Sequence, residues 1–248
     1  MEIYLSVDDT DNPTSIGSGQ LAENLTEELL ERGLIGRCSN ITRHQLYYHQ
    51  DIPYTSHNSA MCFSASTASE NITELVAFSS SYLRNNSAPG SDPGLCIVRE
   101  SSHLDRDSLI EFGTRAKSSI LGKGVAYQLA GRLGIHLSEH GGTGDGVIGA
   151  LAGVGLRLQG NDGRFRGWFN FGLRGEKTTA GKLCEHPSVC DVVDESGNSL
   201  SPESPIRITD EKIKTILKNH TQVIPVKTKG DNGENCWETL TRKEVKVF

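Results

Sequence analysis

Apolar positions along the chain change period in a way that marks out its elements. Residues 2–7 (Glu-Ile-Tyr-Leu-Ser-Val) alternate and favour extended backbone, which predicts a strand. From Ser18 to Arg32 the period becomes helical, with Leu21, Leu25 and Leu29 at steps of four and Gly33 as the stop. Ile41 to Asn58 shows no period and predicts irregular chain. Ala60–Ser66 predicts a second strand. Ile72–Arg84 carries Leu75, Val76, Ser79 and Leu83 at helical spacing.

Asn85–Gly94 holds two prolines and two glycines and must be a loop. Leu95–Arg99 predicts a strand. Asp105–Leu133 is helical in pattern, interrupted at Gly122 and Gly124 and stopped by Gly134. Ile135–Leu137 predicts a short strand, and Gly141–Gly146 a loop that opens a small-residue helix, Val147–Val154. Gly163–Phe171 predicts an aromatic strand, Thr178–Pro205 a polar loop, Asp210–Asn219 a short helix, and Gln222–Val226 and Val245–Phe248 strands. Strands alternating with helices place the chain in the α/β or α+β class, and a ferredoxin-like unit in the middle favours α+β. The expected organisation is a small α/β unit over 1–56, a ferredoxin-like α/β sandwich over 57–172, and a segment over 173–248 packing back on the first two.

Composition narrows the chemistry. The 248 residues suffice for one large domain or two small ones, and no apolar run approaches 18 residues. The N-terminus lacks the basic start and apolar stretch of a signal peptide, so a soluble cytoplasmic protein is expected. The net charge of −6 argues against a broad surface that grips RNA phosphates. A small or phosphorylated substrate fits at least as well. No CxxC pair occurs among the six cysteines. Cys184, His186 and Cys190 fall short of the four ligands of a structural zinc site, and an ordinary loop with two cysteines is expected.

Two loops carry the chemistry. In Val7-Asp8-Asp9-Thr10-Asp11-Asn12-Pro13, three carboxylates crowd a turn leaving a hydrophobic strand. Like charges so close repel unless a cation neutralises them. Magnesium takes one or two carboxylates with water and phosphate oxygens, which is the equipment of phosphoryl transfer. A solvated acidic turn accounts for the same residues. In His140-Gly141-Gly142-Thr143-Gly144-Asp145-Gly146, four glycines let backbone approach a ligand, and successive amides with the following helix N-terminus form an anion nest. A flexible glycine turn is the other reading. No Lys-Ser/Thr follows, so this is not a Walker A loop. ATP is expected between the two loops, with Asp8, Asp9 and Asp11 holding Mg2+ and Thr10 and His140–Gly146 against the nucleotide. Ser18 reads as a helix N-cap. Its second reading is a phospho-acceptor, left accessible by Gly17 and Gly19. Trp168, Phe169 and Phe171 read as strand core, with Arg164, Arg166 and Arg174 on a solvated face or against phosphates.

These segments together resemble a known family. The run VDDTDNP followed by GSGQLA resembles the start of the archaeal tRNA 2-agmatinylcytidine synthetases. The stretch IPYTSHNSA (52–60), Asp92-Pro93-Gly94 and the run HGGTGDGVIGALAGVG (140–155) are similar to further motifs of that family in the same order. The resemblance implies an ATP-using kinase-type domain joined to a ferredoxin-like domain, with an OB-fold and a zinc ribbon that hold tRNA. It implies that ATP activates a cytidine and that agmatine then displaces the activating group. Asp8, Asp9 and Asp11 fall on magnesium-handling aspartates, and Ser18 on a threonine that becomes phosphorylated. There are departures. The family's lysine and arginine are replaced by Thr55, Ser56 and His57. After the matching region no room is expected for both an OB-fold and a zinc ribbon, and no four-cysteine pattern exists, which with the net charge of −6 makes tRNA a doubtful partner for this chain alone. The chain thus reads as a short relative of the catalytic half, an ATP- and Mg-dependent phosphotransferase. Two alternatives stay open. One is a phosphohydrolase with Asp9 as nucleophile and Asp11 as acid, from the D-x-D pattern. The other is a non-catalytic nucleotide-binding protein.

Overall fold

The computed structural model describes residues 1–52, 58–229 and 236–248. Thr55, Ser56 and His57 lie outside the described residues. The chain divides into two compact units, Met1–Gln159 and Gly160–Phe248. Both mix helix and strand, and the fold is α+β.

The first unit runs β1 (Glu2–Asp8), α1 (Ser18–Glu31), β2 (Thr42–Gln45), β3 (Ser59–Ser66), α2 (Ile72–Asn86), β4 (Gly94–Arg99), α3 (Arg106–Arg115), α4 (Lys123–Leu133), β5 (His136–Glu139) and α5 (Gly146–Gln159). Its strands are ordered β5-β4-β1-β3-β2, with every neighbouring pair antiparallel. The first six elements form a β-α-β-β-α-β ferredoxin-like unit. It spans residues 2–99 rather than beginning at 57. The expected cut at 56/57 would remove the central strand, because Leu5 of β1 faces Phe63 of β3 on one side and Ile97 of β4 on the other.

The period-2 alternation of β1 decides what each sheet face meets. Ile3, Leu5 and Val7 pack with Leu21, Leu25 and Leu29 of α1 and with Leu75 and Leu83 of α2. Truncating one such leucine to alanine costs about 2–5 kcal/mol. On the opposite face, Cys62, Cys96 and Val98 meet the small-residue helix α5 through Val147, Leu151 and Val154. Nearly all of α5 is buried. A Cβ at Gly153 would overlap the Ser6 hydroxyl, and one at Gly149 the Asp8 carboxyl. These glycines therefore let α5 lie directly over β1.

The second unit comprises β6 (Arg164–Phe165), β7 (Lys177–Thr179), α6 (Ala180–Cys184), β8 (Asp191–Val193), β9 (Pro205–Arg207), β10 (Ile216–Lys218), β11 (Thr221–Lys229) and β12 (Cys236–Thr239). β11 is its spine. It pairs antiparallel with β10 and β12 and parallel with β8. The unit has its own core, built on Leu183, Val192, Ile206, Ile213, Ile224 and Val226. The division therefore falls at 159/160, and 173–248 belongs to this second core rather than forming a separate segment.

Three sequence expectations fail here for local reasons. Gly163 and Gly167, at φ 103° and 91°, confine the aromatic strand to Arg164–Phe165. Residues 210–219 hold β10 instead of a helix, because Asn219 and His220 take φ 48° and 62° and close a two-residue hairpin into β11. The C-terminal strand is a 3-10 turn, Glu244–Val247, with Glu244 accepting from Thr241 and pairing Lys227. In the first unit, β2 occupies chain expected to be irregular. Among the described residues no helix is long and apolar enough to cross a membrane.

Candidate active site

The site collects at one end of β1 and β4. Asp8 is the last residue of β1 and stands opposite Gly94. Its neighbour Asp9 has φ 47°, a left-handed conformation that Asp tolerates better than most side chains. That turn lifts the chain out of the sheet. The Thr10 carbonyl then accepts from the Ala88 amide at 3.0 Å. Asn12 accepts from the Thr14 amide at 3.1 Å and donates to the Pro89 carbonyl at 3.3 Å. The Asp loop is thus stitched to Ala88 and Pro89, in the loop that leads into β4.

The glycine loop meets the same segment. The His140 amide donates to the Pro93 carbonyl at 2.8 Å. Thr143 gives both its amide and its hydroxyl to Asp92, the hydroxyl at 2.6 Å. Gly142 and Gly144 take φ 56° and 82°. A Cβ at Gly94 would overlap the backbone of Gly146, and one at Gly146 the backbone of Asp92. Lys123 of α4 pairs with Glu139 at 3.3 Å and donates to the Thr143 carbonyl.

Electrostatics mark this corner. Burial, with Asp9 beside it, pushes the Asp8 carboxyl up to about 8. Burial, with Asp92, Asp11 and Asp145 in reach, pushes Asp9 up to about 6. Carboxylates from three loops thus share one field. They supply the acid donors a divalent cation needs, without a finished cage. Among the described residues, no group of three or more His, Cys, Asp or Glu side chains is close enough to hold a metal ion by itself. That donor set fits magnesium, which completes its shell with water and phosphate oxygens.

Ser18 is not the N-cap. Gly17, at φ 82°, occupies that place, and Ser18 is the first residue of α1. Its hydroxyl oxygen instead accepts from the Thr10 amide at 3.3 Å, and it is only 7% exposed. The flanking glycines do not leave it open. A Cβ at Gly17 would stand 3.7 Å from an Asp11 oxygen, so Asp11 lies beside the start of α1.

His140 is held by Ser138 and Arg84. Its Nε2 lies 2.9 Å from the Ser138 hydroxyl and its Nδ1 3.4 Å from an Arg84 nitrogen. Burial, then Arg84 and His136, push it down to about 4. Among the described residues, Cys184, His186 and Cys190 are not gathered as a group of three that could hold a metal ion. The His186 ring packs edge-on against Phe169 and Phe171, and its Nδ1 accepts from the Ser188 amide at 3.1 Å.

Asp92 is the residue that element-by-element reading undervalues. It sits in a Pro/Gly loop like any turn aspartate. Its signal is its place before β4, which the ferredoxin-like order sets beside β1 and hence beside Asp8.

No protein-family model matches the chain, and no curated protein matches it by sequence. Solved structures do. The chain is similar to TiaS in its complex with tRNA and ATP, with TM-score 0.54 and 21% identity over 81% of this chain and 48% of that one. It is similar to TiaS in the complex with tRNA, AMPCPP and agmatine, with TM-score 0.54 and 17% identity over 91% and 57%. A tRNA fluorescent labeling enzyme gives TM-score 0.53 and 22% identity over 79% and 47%. The α+β fold is similar to that of TiaS over the matched part. The chain spans about half the length of these proteins.

Proposed function

We propose that this protein is an ATP- and Mg2+-dependent phosphotransferase acting on an RNA nucleotide or a small molecule. The observation that carries this reading is the meeting of the Asp loop and the glycine loop through Asp92 at the ends of β1 and β4. The fold of TiaS, solved with tRNA and ATP, supports it.

In this reading Asp8, Asp9 and Asp11 hold Mg2+, which when bound supplies charge neutralisation to the phosphates. The residues themselves do the rest. Backbone amides of Gly141, Gly142, Gly144, Asp145 and Gly146 face phosphate oxygens, helped by the N-terminus of α5. Thr143 keeps the loop in shape through Asp92. His140 supports the stem of the loop from outside, and Thr10 ties the Asp loop to residue 88. Ser18 is the candidate protein acceptor of the γ-phosphoryl group.

The test is phosphate transfer or release from ATP with magnesium and with chelator, in the wild type and in Asp8→Asn and Asp11→Asn. Magnesium-dependent turnover that both substitutions abolish, with the melting transition retained, is expected. Undiminished turnover in both variants overturns the assignment.

A further inference from the structure

We propose that Asp92 is the built-in anion of the Gly141–Gly146 loop, and that its charge makes the loop admit metal-complexed phosphate in preference to free phosphate. The inference rests on the reading of this loop as the phosphate-binding element and adds a positioning residue that sets its selectivity.

The glycine loop already holds a carboxylate, through one backbone amide and one hydroxyl. Asp92 is 8% exposed, so its charge is poorly solvated. One oxygen accepts the Thr143 amide and the other its hydroxyl. Gly142 and Gly144 take the left-handed conformation found in anion-binding concavities. The glycines are required by this occupant. A Cβ at Gly142 would overlap the Asp92 carboxyl, and one at Gly141 would stand 3.2 Å from Pro93 Cδ and 3.3 Å from the Ser91 carbonyl. The loop is therefore wrapped around Ser91–Pro93. Thr143 is gripped from both ends, because Lys123 takes its carbonyl.

A phosphate entering beside these amides meets Asp92 at close range, and Asp9 lies within reach of the same charge. Like charges in a poorly solvated corner oppose one another strongly. A divalent ion carried with the phosphates cancels that repulsion. Free nucleotide brings no such cancellation. Asp92 thus plays two parts: it fixes the shape of the loop, and it raises the cost of an uncomplexed anion.

Asp92→Asn separates the parts, since the new amide oxygen still accepts from Thr143 while the charge is gone. Titration calorimetry with ADP and with inorganic pyrophosphate, each in chelator and in magnesium, reads the second part. In chelator, the Asp92→Asn protein is expected to bind both probes about tenfold or more tighter than wild type, the size of a nearby like charge. In magnesium the gain shrinks. Equal or weaker binding by the variant in chelator overturns the proposal. Amide hydrogen exchange reads the first part on the wild type, independently of any variant. Protection at Thr143 that pyrophosphate changes supports the contact, and an unprotected Thr143 amide overturns it. If wild type fails to turn over ATP while the Asp92→Asn gain in chelator is found, the loop stands as an anion nest and the phosphotransferase reading falls.

Discussion

The Asp8 carboxyl occupies the space that a side chain at Gly149 would need, one turn into α5. Sheet and helix touch here, and the helix has no slack to retreat. Gly149→Ala is expected to destabilise the protein by about 1–3 kcal/mol, as overpacking does, and to disturb Asp8. Gly131→Ala in α4 is the control. No atom lies within 4 Å of a Cβ there, so it is expected to gain about 0.5–1 kcal/mol from helix propensity. Urea denaturation of the two variants checks the contrast. Equal effects would mean that α5 does not lie on β1 as closely as described.

Asp8 also costs stability in a pH window that can be named. Its folded value, about 8, lies above its ordinary value of 3.8. The native state therefore holds a proton that the unfolded state releases between those values, and stability falls as pH rises through that window. Asp8→Asn removes this dependence. The variant is expected to melt several degrees above wild type at pH 8 and at the same temperature or below it at pH 4. Thermal melts across pH 4–8 decide it, and a constant difference between the two proteins would place the Asp8 proton elsewhere.

His140 behaves in the opposite sense. Its folded value of about 4 lies below the ordinary 6.5, through burial first and Arg84 second. Its neutral form thus contributes stability above pH 6.5, which is lost as pH falls through 4. Histidine resonances followed by NMR should show one ring that stays neutral below pH 5. Arg84→Ala should move that titration upward, and an unmoved midpoint would remove Arg84 as a cause.

Much of the first unit was legible because its periods are clean. The leucines of α1, the alternation of β1 and the glycine stops at 33 and 134 each fix an element locally. What was not legible is pairing. Nothing in residues 2–8 says that they lie between β3 and β4, so the ferredoxin-like unit was expected one segment too late. The site was half legible for the same reason. Asp8–Asp11 and Gly141–Gly146 stand out as runs, whereas Asp92 stands out only within the short Asp92-Pro93-Gly94 match, and its bonds to Thr143 follow from where β4 is placed. Ser18 looked like a cap because a serine before a leucine helix usually is one. The positive φ of Gly17 moved the cap by one residue. Net charge misled by averaging. Residues 160–248 carry 14 of the 25 Lys and Arg and 13 of the 31 Asp and Glu, so the excess acid lies in residues 1–159. The overall −6 therefore gives no argument about nucleic acid at the second unit.

Ser18 joins the local geometry to the proposed chemistry. As described, its oxygen receives the Thr10 amide and its side chain is almost fully covered. A strut of this kind makes definite demands. Ser18→Ala leaves a buried donor without its acceptor, costing about 1–3 kcal/mol. Ser18→Asn puts a larger side chain into a covered place and should also destabilise, whereas an N-cap serine would tolerate asparagine. Ser18→Thr keeps the hydroxyl and should be the mildest of the three. A phospho-acceptor makes a further demand, since the bond to Thr10 must open before the hydroxyl can meet a γ-phosphate. Once formed, phosphoserine would lie at the start of α1, where unpaired amides and the helix dipole favour a dianion. Incubation with ATP and magnesium should then add one phosphate to wild type and to Ser18→Thr, mapped by peptide mass to residue 18, and none to Ser18→Ala. Stability losses in that order without any phosphate at residue 18 would leave Ser18 a strut for the Asp loop and move the acceptor off the protein.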